Sequence, residues 1–164
     1  MNYATIKYND IANGTGVRTS LFVSGCTHRC RGCFNEVAWD FTYGEPFTDE
    51  TIDTILDSLR PPYISGLSLL GGEPMEPVNQ RALLPLLRRL HTEMPERTIW
   101  VYSGYTYESD LKSPTGRAHC EVTDEFLSYV DVLVDGEFIL DLKDITLQFR
   151  GSSNQRILHL SGRV

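Results

Sequence analysis

The fold and the chemistry of this 164-residue chain follow from the stretch Val17-Arg18-Thr19-Ser20-Leu21-Phe22-Val23-Ser24-Gly25-Cys26-Thr27-His28-Arg29-Cys30-Arg31-Gly32-Cys33-Phe34-Asn35. Its first seven residues are rich in β-branched and apolar side chains, which predicts a strand over Val17–Val23. The loop that follows carries Cys26, Cys30 and Cys33 in a CxxxCxxC spacing. Three thiols so close together in the sequence indicate one compact metal site.

The number of cysteines in this loop limits the kind of metal site. A cluster of four irons and four sulfides normally takes four protein thiolates, so three cysteines leave one iron free to bind another ligand. An open iron of this kind can chelate the amino and carboxylate groups of S-adenosylmethionine and reduce its sulfonium. We therefore expect Cys26, Cys30 and Cys33 to ligate a 4Fe-4S cluster with one iron open to such a ligand.

Two other uses of the cysteines remain open. A zinc ion usually takes four ligands, which here would be the loop cysteines with Cys120 or His28. Cys120 is far along the chain and does not form the second cysteine pair that is typical of zinc sites. A disulfide is a weaker alternative, because a chain of this length can bury a core without cross-links and shows no signal peptide. We expect Cys120 to be dispensable for the cluster.

Charge and composition restrict the partners and the location of the chain. A net charge of −7 and a pI near 5.0 argue against a nucleic-acid partner, which would require a basic face. No apolar run is long enough for a membrane span, and the first residues do not form an export signal. We therefore expect no membrane partner, a cytoplasmic location and a single domain over residues 1–164.

Strand and helix signals alternate along the chain. A helix is predicted after Thr48, which can act as its cap, and Pro61-Pro62 stops it. A second helix is predicted around residues 82–90, where Pro85 implies a kink or a later start. This alternation favours a parallel sheet. Further strands are predicted at residues 67–70, Thr98–Tyr102, 130–134 and 156–160.

The predicted strands end in small or polar residues, namely Ser24-Gly25, Gly71-Gly72-Glu73, Ser103-Gly104 and Asp135-Gly136. In α/β barrels the catalytic groups collect at the carboxyl ends of the strands, where glycines let ligands approach the backbone. The chain is too short for eight βα units, which take about 250 residues. The predicted fold class is therefore α/β, a partial, open βα barrel with a mostly parallel curved sheet.

The cysteine loop and the segment Leu69-Leu70-Gly71-Gly72-Glu73-Pro74 together resemble the radical S-adenosylmethionine superfamily. The second segment looks like its GGE motif and follows the cysteines at the spacing of one βα unit. The resemblance implies that Gly71, Gly72 and Glu73 hold the amino end of S-adenosylmethionine. A carboxylate suits this role because it can accept a charge-assisted hydrogen bond from the ligand's ammonium group.

The resemblance also implies contacts to the rest of S-adenosylmethionine. Gly32, Cys33 and Phe34 occupy the positions where the superfamily has backbone and aromatic contacts to the adenine. The superfamily often has an aromatic residue just before the third cysteine, whereas this chain has Gly32 there and Phe34 after it. Ser103 is the expected ribose contact, and Asp135 is a weaker candidate. His28 is assigned no role.

Further segments narrow the resemblance to the glycyl-radical-enzyme activases, and among them to activating proteins of anaerobic ribonucleoside-triphosphate reductases. These segments, at residues 13–18, 30–35, 100–105, 131–136 and 149–156, span nearly the whole chain. The family implies an oxidoreductase that cleaves S-adenosylmethionine to methionine and a 5′-deoxyadenosyl radical, which then takes a hydrogen atom from a glycine. The implied partners are the large reductase subunit, whose carboxyl-terminal segment carries that glycine, and an external low-potential electron donor.

Two rival functions remain open. One is another radical S-adenosylmethionine enzyme, such as a pyruvate formate-lyase activator or a small-molecule enzyme. Those chains are generally longer and do not resemble this one at residues 149–156. The other is a non-enzymatic iron-sulfur or zinc module, which would explain the cysteines but not Gly71-Gly72-Glu73.

Overall fold

Seven strands form one sheet in the computed structural model, which describes residues 1–164. The strands are β1 (Asn2–Asp10), β2 (Val17–Val23), β3 (Glu45–Pro46), β4 (Ile64–Gly71), β5 (Thr98–Tyr102), β6 (Val132–Asp135) and β7 (Arg156–His159). Three α-helices lie between successive strands, namely α1 (Asp49–Ser58), α2 (Pro77–Glu93) and α3 (Thr123–Ser128). Shorter helical turns occupy Glu36–Trp39, Tyr107–Lys112 and Leu140–Leu142.

The strand order across the sheet is β3-β1-β2-β4-β5-β6-β7. Strands β2, β4, β5 and β6 form a parallel centre, and β1, β3 and β7 pair in antiparallel orientation at the two edges. The sheet is mixed and does not close. The predicted α/β class and the parallel arrangement of the central strands are confirmed, and the more specific partial barrel stays a prediction.

One face of the sheet carries the main hydrophobic core. Alternate strand residues, including Leu21, Leu67, Leu69 and Val101, pack with apolar residues of the helices in a cluster of 25 buried side chains. Successive side chains of a strand lie on opposite faces, so this alternation places the leucines together under the helices. Removing these side chains from water is the main contribution to the stability of the fold.

The other face of the sheet is smaller and more polar. Trp100, Val132 and Val134 form a separate cluster of three buried residues. Beside them Arg18 is fully buried, and its guanidinium donates to the hydroxyl and carbonyl oxygens of Thr98 at 3.0 and 2.7 Å. Burial lowers the pKa of Arg18 to about 10. A buried guanidinium is tolerated here because protein oxygens accept from its donors.

The helices start and end for identifiable reasons. Thr48 caps α1 as predicted, in a reciprocal arrangement with Thr51. Helix α2 begins at Pro77, a position where the missing N–H of proline has no intrahelical partner to lose. It continues through Pro85, so of the two expectations for that proline the later start is wrong and the kink stays a prediction; the buried leucines on both sides of Pro85 hold the helix in place. None of the helices has both the length and the apolar character needed to span a bilayer.

The predicted strands are confirmed, with β2 and β5 at their predicted bounds. Strand β4 is longer than predicted at its amino end, and β6 and β7 differ by one or two residues at their ends. Strands β1 and β3 were absent from the sequence-based assignment. They lie at one edge of the sheet, where much of the side-chain surface is exposed and the apolar alternation is weak.

Candidate functional site

A cavity of about 550 Å³ opens at the carboxyl ends of the parallel strands. Parallel strands all end at one edge of a sheet, so the loops that follow β2, β4, β5 and β6 meet there. Except for Asp135, every residue that the sequence predicts to hold metal or cofactor lines this cavity, namely Cys26, Cys30, Gly32, Cys33, Phe34, Gly71, Gly72, Glu73 and Ser103. The fold thus brings together positions that are up to about eighty residues apart in the chain.

The three loop cysteines carry free thiols on the cavity wall. Burial raises the pKa of the Cys26 thiol to about 12, and burial together with the Glu137 carboxylate raises the pKa of Cys30. A bound metal removes such protons, because the thiolate is the ligand. No three His, Cys, Asp or Glu side chains converge on one point as the ligands of a single ion would. In a 4Fe-4S cluster each thiolate binds a different iron, so that convergence is not required.

Cys120 lies away from this cavity. Its thiol is 3.6 Å from Oε1 of Gln80 in α2 and 3.5 Å from the hydroxyl of Thr123 at the start of α3. Gln80 and Thr123 are both buried between these two helices. The position of Cys120 supports the expectation that it is not a cluster ligand, and that expectation stays a prediction.

The cysteine loop and the GGE turn are joined through their backbones. The N–H of Gly72 donates to the carbonyl of Val23 at 2.7 Å, and the N–H of Glu73 donates to the carbonyl of Gly25 at 2.8 Å. A Cβ atom at position 72 would lie 2.7 Å from that Gly25 oxygen. Gly72 is therefore required by the close approach of the cysteine loop, independently of any ligand.

The Glu73 carboxylate is only 1% exposed and accepts four hydrogen bonds from the protein. Oε1 accepts from the N–H of Met75 and the hydroxyl of Ser103, both at 2.8 Å. Oε2 accepts from the N–H of Gly104 at 2.7 Å and lies 2.8 Å from Nε2 of His28. These internal donors occupy both carboxylate oxygens, so a ligand's ammonium group would have to share them.

His28 is a residue of the site that the sequence did not reveal. Its side chain is 4% exposed, and Nδ1 lies 2.9 Å from Oε1 of Glu137, opposite the contact to Glu73. Burial of the ring alone would lower the pKa of His28, but the contacts to the Glu73 and Glu137 carboxylates outweigh burial and raise it. A histidine between two of the loop cysteines gives no sign in the sequence of which distant acids it contacts.

Three buried polar atoms, each in a residue that lines the cavity, have no hydrogen-bond partner in the protein. They are Nε1 of Trp39, the hydroxyl of Tyr102 and Nε of Arg150. Buried donors are nearly always satisfied, because leaving one unpaired costs about 1–3 kcal/mol. The unpaired atoms therefore fit a polar ligand that carries hydrogen-bond acceptors.

The chain has close relatives whose names are known. A family model described as a 4Fe-4S single cluster domain matches residues 12–158. The anaerobic ribonucleoside-triphosphate reductase-activating protein of Pasteurella multocida is 44% identical over 159 residues, 96% of each chain. Proteins of the same name from Escherichia coli K12 and Enterobacteria phage T4 are 43% and 39% identical, covering 98% and 96% of this chain and 99% and 93% of their own lengths. The chain belongs to this family.

Membership of the anaerobic ribonucleoside-triphosphate reductase-activating family confirms the resemblance inferred from the cysteine loop, the GGE segment and their neighbours. The range matched by the 4Fe-4S family model includes all three loop cysteines, which supports an iron-sulfur cofactor in this chain. The ligand roles of the individual residues stay predictions, and the geometry favours some of them over others.

Ser103 and Asp135, the two candidate ribose contacts, have different surroundings. Ser103 lines the cavity, although its hydroxyl already donates to Glu73 and accepts from the N–H of Tyr105 at 3.0 Å. Asp135 does not line the cavity; its carboxylate accepts from Arg156 and from the N–H of Tyr107 at 2.8 Å. The geometry favours Ser103 over Asp135 as a ligand contact.

The predicted adenine contacts also differ in exposure. Phe34 is 89% exposed beside the cavity, so its ring is free to contact a ligand. Gly32 lies against the side chain of Leu140, in the segment that follows β6. The sequence did not single out that later segment as part of the cavity, although Phe138, Ile145 and Arg150 line it.

Proposed function

We propose that this chain activates an anaerobic ribonucleoside-triphosphate reductase by reductive cleavage of S-adenosylmethionine at a 4Fe-4S cluster. The observation that carries the proposal is the single cavity shared by three thiols, the GGE turn and three unpartnered polar atoms. When bound, the cofactors would supply a 5′-deoxyadenosyl radical able to take a hydrogen atom from the alpha carbon of a glycine in the reductase. The protein binds and orients the cofactors and limits access of water.

Cys26, Cys30 and Cys33 are the proposed cluster ligands. They lie in one loop and on one cavity wall, and none of them is in a disulfide. A backbone hydrogen bond fixes Cys26 in the loop: its N–H donates to the carbonyl of Trp39 at 3.3 Å. Three thiolates leave one iron for the amino and carboxylate groups of S-adenosylmethionine.

The proposed S-adenosylmethionine site uses the rest of the cavity wall. Gly71, Gly72 and Glu73 face the amino end of the ligand, as the resemblance implies, and Gly32, Cys33, Phe34 and Ser103 contact its nucleoside. The carboxylate, hydroxyl and ring-nitrogen acceptors of S-adenosylmethionine match the unpaired donors of Trp39, Tyr102 and Arg150. Glu73 also orients the wall itself, because its carboxylate joins the loops that follow β2, β4 and β5.

The proposed protein partner is the large reductase subunit, which presents its glycine at the mouth of the cavity. The open sheet supports a partial barrel of the radical S-adenosylmethionine type, formed by a single domain, and its open side admits an extended segment of the partner. Phe34 and Ile145, which are 89% and 90% exposed, lie at the cavity and offer apolar contacts to such a segment. An external low-potential donor supplies the electron.

Anaerobic reconstitution with iron and sulfide tests the proposal. The reduced protein is mixed with S-adenosylmethionine and with a reductase subunit that carries alpha-deuterated glycine. We expect methionine and 5′-deoxyadenosine in equal amounts, deuterium in the 5′-deoxyadenosine, and a glycyl radical signal on the subunit. A sample without reductant is the control and should give none of these products.

The other outcomes distinguish the rival functions. Cleavage of S-adenosylmethionine without deuterium transfer from the reductase would overturn the proposed partner and favour another radical S-adenosylmethionine enzyme. A reconstituted cluster that neither binds nor cleaves S-adenosylmethionine would overturn the proposed reaction and favour an electron-transfer module.

A further inference from the structure

We propose that His28 is a positioning residue that fixes the cysteine loop to the ends of the other parallel strands. Its imidazole contacts the loops that follow the three parallel strands β4, β5 and β6. It meets Glu73 after β4 and Glu137 after β6 at 2.8 and 2.9 Å, and it packs on the ring of Tyr105 after β5 with 4.3 Å between ring centroids. His28 itself follows β2, so one side chain connects the ends of all four parallel strands.

The space around the ring is shaped for an imidazole. A Cβ atom at Gly104 would lie 2.6 Å from Nε2 of His28, so the absence of a side chain at position 104 lets the ring approach. The guanidinium of Arg117 lies over the Tyr105 ring, 5.2 Å from its centroid. The ring of His28 is thus held by packing as well as by its two carboxylate partners.

The contacts of His28 exclude two alternative roles. Both ring nitrogens lie within 2.9 Å of carboxylate oxygens, so neither nitrogen is directed at the cavity as a metal ligand. The same contacts leave no free ring nitrogen to exchange a proton with a ligand. The remaining role is a structural one. His28 lies between Cys26 and Cys30 and fixes the position of this part of the loop relative to the GGE turn.

A second anchor shows which part of the loop depends on His28. The N–H and hydroxyl of Thr27 both donate to Oε1 of Glu76, at 2.9 and 2.7 Å. Glu73 and Glu76 precede α2 and hold two successive residues of the loop. Cys30 follows His28 in the loop and has no hydrogen bond of its own to Glu73 or Glu76, so we infer that loss of His28 displaces Cys30 more than Cys26.

The consequence for S-adenosylmethionine rests on the proposed function. Residues that orient metal ligands without touching the metal typically change metal affinity or activity about 10- to 100-fold when they are replaced. We expect His28→Ala to weaken S-adenosylmethionine binding by about tenfold or more. His28→Gln, which keeps a donor for one carboxylate, should recover part of that loss.

The test combines a measurement on the apoprotein with one on the reconstituted protein. Deuterium exchange of the peptide over residues 26–34 in the apoprotein reports loop order. The change in the electron paramagnetic resonance spectrum of the reduced cluster, titrated with S-adenosylmethionine, reports cofactor affinity. Arg31→Ala is the matched control, because Arg31 lies in the same loop but only pairs with Asp141 at the surface, where the two side chains are 73% and 80% exposed.

We expect His28→Ala to lose exchange protection in the loop and cofactor affinity, and Arg31→Ala to lose neither. Unchanged affinity in His28→Ala, whatever the exchange result, would overturn the positioning role. If His28→Ala does not fold, Glu137→Gln tests the more exposed contact and should weaken affinity by a smaller factor; no change there would also count against the inference. Failure of the wild-type protein to bind S-adenosylmethionine would overturn the proposed function, while loop exchange would still decide whether His28 holds the loop.

Discussion

Each end of the parallel sheet contains a carboxylate that is only 1% exposed, and the two carboxylates have different partners. Asp131, just before β6, accepts from Nε and Nη2 of Arg163 at 2.8 and 2.9 Å and from the N–H of Ile99 at 2.8 Å. Glu73, just after β4, has no arginine or lysine partner. It meets an imidazole, one hydroxyl and two backbone N–H groups.

The difference separates a structural carboxylate from one that belongs to a site. Arg163 neutralises Asp131 and ties the last residues of the chain to the sheet. Glu73 instead connects three loops beside a cavity that contains thiols and unpaired polar atoms. Burial and the number of hydrogen bonds are similar at the two ends, so the nature of the partners and the adjacent space carry the functional information.

The largest expected effect comes from the cysteines at the cavity end. Cys26→Ala, Cys30→Ala and Cys33→Ala should each lose most of the reconstituted iron and sulfide, because each removes one of only three thiolates available to the cluster. Cys120→Ala should retain the wild-type content, since its thiol lies between α2 and α3. Iron and sulfide analysis after anaerobic reconstitution measures the cluster content of all four variants.

One result would contradict this assignment directly. A Cys120→Ala protein that loses its cluster while the three loop variants keep theirs would move the cluster away from the cavity. Circular dichroism of each apoprotein is the control, because all four variants should retain the wild-type fold.

The next effect compares the two carboxylates. Glu73→Gln and Asp131→Asn each replace an acceptor of several hydrogen bonds by an amide, whose NH₂ group faces existing donors. Each should lower the free energy of unfolding by about 1–3 kcal/mol. Only Glu73→Gln should also weaken S-adenosylmethionine binding, because Asp131 is at the opposite end of the sheet. Urea unfolding measures the free energy of unfolding, and titration with S-adenosylmethionine measures its affinity. Equal affinities in the two variants would contradict the distinction between a site carboxylate at Glu73 and a structural carboxylate at Asp131.

A smaller effect is expected at Tyr102, whose buried hydroxyl has no partner. Burial raises the pKa of this hydroxyl well above its usual value, so it is a neutral donor under ordinary conditions. Tyr102→Phe removes an unsatisfied group and should leave stability unchanged or slightly higher, while weakening S-adenosylmethionine binding by about 0.5–1.5 kcal/mol. Reduced stability with unchanged affinity would show that the hydroxyl serves the fold and not a ligand.

The sequence predicted the elements whose signals are local. The glycines and polar residues at the strand ends identified the edge where the cavity lies, and Thr48 identified the start of α1. Strand β1 was missed because much of its side-chain surface is exposed, which leaves the apolar alternation weak. The sequence left open whether Pro85 kinks α2 or delays its start, because the packing of α2 against the sheet, which offsets a lost hydrogen bond, is not visible in the local pattern.

The site was predictable as far as its chemistry is carried by adjacent residues. The cysteines could be named because their spacing is short, and the GGE segment because it resembles a motif of the radical S-adenosylmethionine superfamily. His28, Glu137 and Arg150 could not, because their significance depends on contacts between residues separated by about a hundred positions or on a missing partner. The proposed contact of Glu73 with S-adenosylmethionine could be stated from the sequence, but the four hydrogen bonds that its carboxylate accepts from the protein could not.

The smallest expected effect is a pH dependence at the structural end of the sheet. Burial alone would raise the pKa of Asp131, but hydrogen bonds from Arg163, Ser161 and the Ile99 N–H outweigh burial and lower it below its ordinary value of 3.8. The unfolded chain therefore binds this proton more readily than the folded one. The contribution of Asp131 to the free energy of unfolding is thus fully present above about pH 4 and is lost as pH falls through the folded pKa.

Urea unfolding of the wild type and Asp131→Asn at pH 6 and pH 3 should give a smaller stability difference at the lower pH. Arg163 is 43% exposed, so added salt should reduce the effect further. A difference that stays constant with pH would mean that Asp131 acts through packing and not through its charge, and the contrast with Glu73 would then rest on the cavity alone.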